Sequence, residues 1–299
     1  MRFSVRAPAS SANLGPGFDA LGLALDLWNE VEITVGETDA VALAGSGADL
    51  LGGRENLTLT AMRLLAARGR RPLPTIAMTL HAEIPVARGL GSSAAAIVAG
   101  LLAANRLLDL DMTSAELFAV AAEMEGHGDN VGAAIYGGAI LAVPGMRDAL
   151  RLSDGAALGL DAVLFVPEAT GATWVARAQL PQLIPHADAA FNVGTASGLA
   201  VGLLTADREA IAAGMHDKLH EPHRARLFPH LLPMQDAARH AGAVGACLSG
   251  AGPSVLALAD PADSPAVVAA FDLAAARNGV SGSTCILKPA STGAHLVDH

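Results

Sequence analysis

Residues 85–95 read PVARGLGSSAA, a glycine turn that runs through two serines into a long alanine-rich apolar stretch. That junction commits the chain to a tight turn opening a buried helix. Gly89 and Gly91 let the backbone turn with its N–H groups aimed one way, and Ser92 and Ser93 start the helix. The helix N-terminus adds roughly half a positive charge, so loop and helix together can hold an anion such as phosphate. Ala94 to Leu108 is apolar on nearly every side, which places this helix in the core. A Walker A loop is excluded, because Ser92 stands where that motif requires lysine. The run from Gly89 to Ala94 also fits a dinucleotide fingerprint. Pro85 and Arg88 interrupt the strand which that motif needs, however, and Asp109 and Asp111 follow the helix with no strand between. An ordinary serine-capped turn would look the same in isolation, so other segments must decide.

Composition narrows the ligands. The formal net charge is −10 over 299 residues and aromatics are 3%, with no basic run. Nucleic acid and anionic membrane are therefore poor partners. Lys218 and Lys288 are the only lysines, so arginine must supply the side-chain cations. Cys247 and Cys285 lie in separate apolar stretches and read as buried free thiols of a reducing cytoplasm, not as a zinc site or a disulfide. The opening MRFSVRAPASSANLG has no long apolar core, so no secretory leader is expected. No uninterrupted apolar run reaches the ~18 residues of a membrane span, and a soluble cytoplasmic protein is expected.

Alternation predicts a short strand at Phe3 and Val5 before the Ala7-Pro8 break, and another from Trp28 to Val35. Helical spacing covers Asn56 to Arg68, and Ile76, Met78 and Leu80 mark a strand leading into the glycine loop. Thr113 and Glu116 form a capping box for a helix that Gly126 closes. A short helical or irregular run follows, then a strand from Ala139 to Val143. Pro144-Gly145 and the polar stretch to Asp154 read as a linker, which divides the chain into domains 1–153 and 154–299. In the second half, strands are predicted at Leu160–Val166, Val244–Leu248, Ser254–Ala259 and Thr284–Leu287. Helices are predicted at Ser197–Met215, Phe228–His240 and Ser264–Asn278. That is the β-α-β-β-α-β order of a ferredoxin-like unit.

Read together with PASSANLGPGFDALGLAL (8–25), EGHGDNVGAAIYGG (125–138) and LSGAGPS (248–254), the loop 85–95 resembles the GHMP small-molecule kinases. The resemblance covers nearly the whole chain, with the motifs in the family's order. It implies an α+β fold of two domains, the first like ribosomal protein S5 domain 2 and the second ferredoxin-like and closing the site. It also implies ATP-dependent phosphorylation of a small alcohol. By this resemblance Pro85, Arg88, Gly89, Leu90, Gly91, Ser92, Ser93 and Ala94 form the ATP phosphate loop. Asn56, which also reads as an N-cap, lies at the adenine side. A Mg²⁺ ion should supply the neutralisation that the missing lysine does not. Residues two apart on a helix diverge, so only one of Glu123 and Glu125 can face the site. The family pattern favours Glu123, with Ser92 as hydroxyl ligand.

The same pattern assigns an acceptor pocket. Arg177 in TWVAR and Arg224 in EPHR would take a carboxylate, Asp19 would face an ammonium, and Asn13 would line the pocket. Gly250 belongs to the loop that closes it. His127, Asp129 and Asn130 would surround the acceptor hydroxyl. Such a set implies a zwitterionic amino alcohol. Either Asp129 takes the hydroxyl proton or Asn130 only orients the hydroxyl; both routes stay open. The family often has proline at 128 and 132, where this chain has Gly128 and Gly132, and the glycines are expected to loosen the backbone there. A mevalonate or sugar kinase of the same fold would lack the charge set, and a nucleotide sensor would lack turnover. Homodimers are common among soluble enzymes, but no sequence feature marks an interface.

Overall fold

The computed structural model describes residues 1–36, 39–45, 49 and 55–298. Strands β1 (Arg2–Ala12), β2 (Leu21–Val35), β3 (Ala40–Ala44), β4 (Ile76–His81), β5 (Ala139–Leu141) and β6 (Leu150–Ser153) build one sheet. Strands β7 (Asp161–Pro167), β8 (Gly245–Leu248), β9 (Val255–Ala259) and β10 (Gly282–Leu287) build a second, and β11 (His295–Asp298) returns to the first. The first sheet runs β11-β1-β2-β4-β3, and β5 pairs with the opening residues of β2 and with β6. Both long strands exceed what alternation predicts. β1 passes through Pro8 because its register with β2 shifts between Pro8 and Ala9, where a missing N–H does least harm. β2 starts at Leu21, and its first five residues are all buried, which erases any alternation. β6 occupies part of the stretch that reads as linker, and β11 pairs with β1 although it follows the second sheet in sequence. Strands of the first sheet thus lie on both sides of residue 153.

Helices α1 (Leu57–Gly69), α2 (Ser92–Leu108), α3 (Ser114–Glu125) and α4 (Asp129–Tyr136) belong to the first half. α2 and α4 pack on β1 and β2, while α1 and α3 pack on α2. α2 is wrapped on most sides, with Ala94, Ala95, Ile97, Val98 and Leu101 all buried, as its composition requires. α3 opens with the Thr113–Glu116 capping box and ends at Gly126, whose φ is 87°.

Four helices bridge the halves: α5 (Thr173–Ala178), α6 (His186–Thr205), α7 (Arg208–Gly214) and α8 (Glu221–Arg224). α9 (Leu231–His240) covers β8 and β9, and α10 (Ser264–Asn278) covers β7 and β10. The second sheet runs β10-β7-β9-β8, wholly antiparallel, which is the ferredoxin-like strand order. Val163, Phe165, Leu231, Met234 and Phe271 fill its core. The predicted helix at 197–215 is two helices. α6 starts at His186, where exposed Phe191 and Val193 hide the amphipathic signal, and it stops at Ala206. Asp207 then caps α7. By length and composition α6 could cross a membrane, yet it carries His186 and Asp188 and buries Asn192, Leu199, Gly202 and Leu203 against the fold. Cys247 is buried, but Cys285 is only half-buried, on the edge strand β10.

Candidate active site

The glycine loop is clamped between the two halves of the molecule. Gly89 and Gly91 have φ of +76° and +69°. A Cβ on Gly89 would lie 2.1 Å from the Ser249 carbonyl oxygen, and one on Gly91 would lie 2.1 Å from Ser10 Oγ. Ser249 Oγ donates to Gly89 O at 2.7 Å, and Ser10 N donates to Leu90 O at 3.1 Å. The loop carbonyls therefore face protein, and the first-turn N–H groups of α2 have no helical partner. Pro85, Gly89, Leu90, Gly91, Ser92 and Ser93 line one cleft. Ala94 is fully buried and is absent from its wall. Arg88 reaches the cleft wall, but its Nε and Nη2 donate to the carbonyls of Pro167 and Glu168 at 2.8 and 2.7 Å. Its Nη1 donates to Val86 O at 3.1 Å, so the guanidinium ties the loop to the end of β7.

Of the two glutamates considered for the metal, the one the family pattern favours lies outside the cleft. Glu123 accepts from Arg68 Nη2 at 2.7 Å with its side chain 67% exposed, outside the cleft. Glu125 lines the cleft and accepts from Ser93 Oγ at 2.9 Å. The divergence of neighbours on α3 selects one glutamate as foreseen, and it selects Glu125. A hydroxyl and carboxylate pair at the start of α2 is an all-oxygen donor set, which suits Mg²⁺.

Across the cleft the backbone is unusual. Asn13, Leu14 and Asp19 all have positive φ, conformations that cost about 1 kcal/mol or more each and recur at functional sites. Asn13 Oδ1 accepts from Asp19 N, and Asn13 Nδ2 donates to Gly250 O, both at 2.9 Å. Arg177 Nη1 and Nη2 fork onto the Asp19 carboxylate at 2.9 and 2.7 Å, and those bonds raise the Arg177 pKa. Arg224 is 2% exposed. Its pKa is lowered to about 10 by burial and by Arg177 nearby, so it stays charged. Its Nη1 contacts Gly250 O at 3.1 Å and His220 Nδ1 at 3.2 Å, while its Nε is buried without a partner. Both guanidinium groups lie over the Phe18 ring, at 5.5 Å for Arg177 and 5.3 Å for Arg224.

At the meeting point of both sides, His127 Nδ1 lies 2.5 Å from Asp129 Oδ1, which also accepts from Asn130 N at 2.7 Å. Burial opposes charge on His127, but the Asp129 bond and the carboxylates of Asp129, Glu125 and Asp19 prevail and raise its pKa. Asn130 Oδ1 accepts from Ser10 Oγ at 2.9 Å, which fixes the amide. Gly128 does not loosen this corner: its φ is −101°, and a Cβ there would lie 2.7 Å from Ala142 Cβ. Glycine serves close packing at this position.

A cavity of about 850 Å³ continues from the cleft, sharing Ser92, Ser93, Thr173 and Arg177 with it. Asn56 lines it while capping α1 by accepting from Leu59 N at 3.0 Å, so the N-cap reading holds and the residue also borders the cavity. Trp174 stands on its rim, 75% exposed. Sequence reasoning missed Trp174, Ser10, Phe18 and His220. Ser10, Phe18 and Trp174 stood inside recognised motifs, whereas nothing in the sequence marks His220.

Residues 56–138 match the GHMP kinases N terminal domain and residues 199–286 match the GHMP kinases C terminal domain. The chain is 38% identical over 297 residues to the homoserine kinase of Moorella thermoacetica, covering 98% of this chain and 99% of that one. It is 43% identical to the homoserine kinase of Gloeobacter violaceus over 85% of this chain and 86% of that one. The crystal structure of homoserine kinase from Cytophaga hutchinsonii superposes with a TM-score of 0.86 at 30% identity, covering 99% and 97% of the two chains. The crystal structure of L. major mevalonate kinase in complex with R-mevalonate shares the fold at a TM-score of 0.70 and 18% identity, with 96% of each chain covered. The glycine loop, the two sheets and full-length kinship point one way: the chain belongs to the GHMP kinase family, among the homoserine kinases.

Proposed function

We propose that this protein uses Mg-ATP to phosphorylate the side-chain hydroxyl of L-homoserine, giving O-phospho-L-homoserine for threonine synthesis. The observation that carries the reading is the charge set beside the glycine loop: Asp19, Arg177 and Arg224 line the same cleft as Gly89, Gly91 and Ser93. An ammonium suits Asp19 and a carboxylate suits the arginines, whose planar forks bind it bidentately. Mevalonate and sugars carry no ammonium for Asp19, and so fit this wall less well.

Phosphoryl transfer depends on positioning and on neutralising charge. The N–H groups of Gly89 to Ser93 and the two serine hydroxyls would hold the β- and γ-phosphates of ATP, with the nucleoside extending toward Asn56. Glu125 and Ser92 would hold Mg²⁺, which when bound neutralises charge on those phosphate oxygens. Asn130, its amide fixed by Ser10, would orient the acceptor hydroxyl. Asp129 is already engaged by His127 and by the Asn130 N–H. We therefore assign Asp129 to holding this corner in shape, with the hydroxyl proton passing to the γ-phosphate.

The test is ADP release with Mg-ATP and, separately, L-homoserine, L-serine, L-threonine, mevalonate and galactose. Turnover is expected to be strongest with L-homoserine. Turnover confined to mevalonate or galactose would sink the acceptor assignment, and nucleotide binding without turnover on any acceptor would make the protein a sensor.

A further inference from the structure

His220 belongs to no motif quoted for this chemistry, yet it is wholly buried one helical turn before Arg224. Its Nε2 lies 2.7 Å from Gly15 O, and its Nδ1 lies 3.2 Å from Arg224 Nη1. A carbonyl can only accept and a guanidinium can only donate. The proton therefore sits on Nε2, and Nδ1 offers its lone pair to Arg224. Burial agrees, pulling the His220 pKa down to about 4 and keeping the ring neutral. Asp217, 3.8 Å away, does not take the imidazole; its oxygens accept from the backbone N–H groups of Leu219, His220 and Glu221 and from Asn192.

The consequence falls on Arg224. Its Nη1 carries two hydrogens, and His220 Nδ1 and Gly250 O account for both. The Nε and Nη2 hydrogens have no partner among the described residues, and Nε is buried. Leaving such donors unpaired is costly, so a ligand should pair them. Nε–H and Nη2–H run parallel along one edge of the guanidinium, the arrangement that grips a carboxylate side-on. Arg177 differs, because both of its terminal nitrogens already point at Asp19.

We infer that His220 is a positioning residue for acceptor recognition: by accepting one Nη1 hydrogen of Arg224 while Gly250 O accepts the other, it turns the free Nε/Nη2 edge toward the acceptor's carboxylate. This rests on the proposed amino-acid acceptor and goes beyond it by dividing the labour between the two arginines. His220 also ties the segment carrying Asn13 and Asp19 to α8 through Gly15 O. The register of α8 against that segment is thereby fixed by one neutral ring.

The experiment measures, for wild type, His220→Ala, His220→Asn and His220→Gln, the KM for L-homoserine, the KM for ATP and the Ki of aminopropanol. Aminopropanol is the same amino alcohol without its carboxylate. Losing a hydrogen bond to a charged group should raise the L-homoserine KM of His220→Ala by roughly tenfold or more, with ATP KM and aminopropanol Ki within about twofold of wild type. Asn places an amide oxygen near the position of Nδ1, and Gln reaches toward that of Nε2, so His220→Asn should recover acceptor affinity and His220→Gln should not. Parallel weakening of L-homoserine and aminopropanol would mean a merely structural role and would overturn the inference. So would an unchanged L-homoserine KM, or recovery by Gln alone. If His220→Ala fails to fold by its melting curve, the Asn and Gln pair decides. Wild-type protein that turns over another acceptor but not L-homoserine would refute the acceptor reading separately.

Discussion

The two sides of the cleft are built on opposite principles. The side proposed for phosphate is nearly contiguous, residues 89–93 plus Glu125, and the donors it offers are mainly backbone N–H groups at a helix start. The side proposed for the acceptor collects Asn13 and Asp19, Arg177, Arg224 and Gly250 from four segments, with partners as far as 237 positions apart in sequence. Its donors and acceptors are mostly charged side chains. A backbone-built site should tolerate changes of side-chain chemistry but not added bulk. A side-chain-built site should respond to chemistry first.

The harshest challenge to that contrast is Gly89→Ala. The added methyl group meets the Ser249 carbonyl in a left-handed residue, so the loop must move. Displacements of about 1 Å near reacting groups can cost a hundredfold, and kcat/KM should fall by about that much or more. Activity near wild type would mean that the backbone at 89 does not hold phosphate. Next comes the one charged side chain on the phosphate side. Glu125→Gln should lower kcat at saturating Mg-ATP by roughly tenfold to a hundredfold, whereas Glu123→Gln should leave kcat within about twofold and cost less than about 1 kcal/mol as a surface pair. The reverse outcome would restore Glu123 as the metal carboxylate. Smaller still is Trp174→Ala, on the rim that joins both sides. If the base stacks there, KM for ATP should rise about tenfold with little change for the acceptor, since stacking is worth ~1–3 kcal/mol per base. The subtlest effect is in pH. His127 has a raised pKa, so its charged form stabilises the fold fully below about 6.5 and the benefit fades as pH rises through the raised value. The stability lost in His127→Asn, read from melting curves, should therefore be largest in acid and shrink toward pH 9, by about 1 kcal/mol in all. A pH-independent loss would show that the Asp129 contact is not ionic.

The same contrast explains what the amino-acid order reveals. Local devices were legible: the glycine turn, the helix at 92, the capping box at Thr113 and the second sheet's element order all follow from neighbours in sequence. The convergence of Arg177, Arg224 and Asp19 was accessible only through family resemblance, because no periodicity links such distant positions. Choosing between Glu123 and Glu125 needed the rotation of α3 about its axis, which a shift of one residue at its start would change. His220 escaped because a buried, neutral histidine leaves no pattern; its meaning lies in which atoms it faces. The strand through Pro8 and the return of β11 to β1 escaped for a related reason, since both depend on a partner strand far along the chain.

The fork of Arg177 on Asp19 has a consequence for selectivity. In the free protein the two neutralise each other, so a newcomer must take over both roles at once. A zwitterion can do so, with its ammonium replacing the guanidinium at Asp19 while its carboxylate meets the arginines. A simple carboxylic acid would leave Asp19 facing nothing, and a simple amine would leave Arg177 in the same position. On the proposed acceptor the pocket would exchange one dipole for another, and singly charged molecules would bind more weakly without any steric barrier against them.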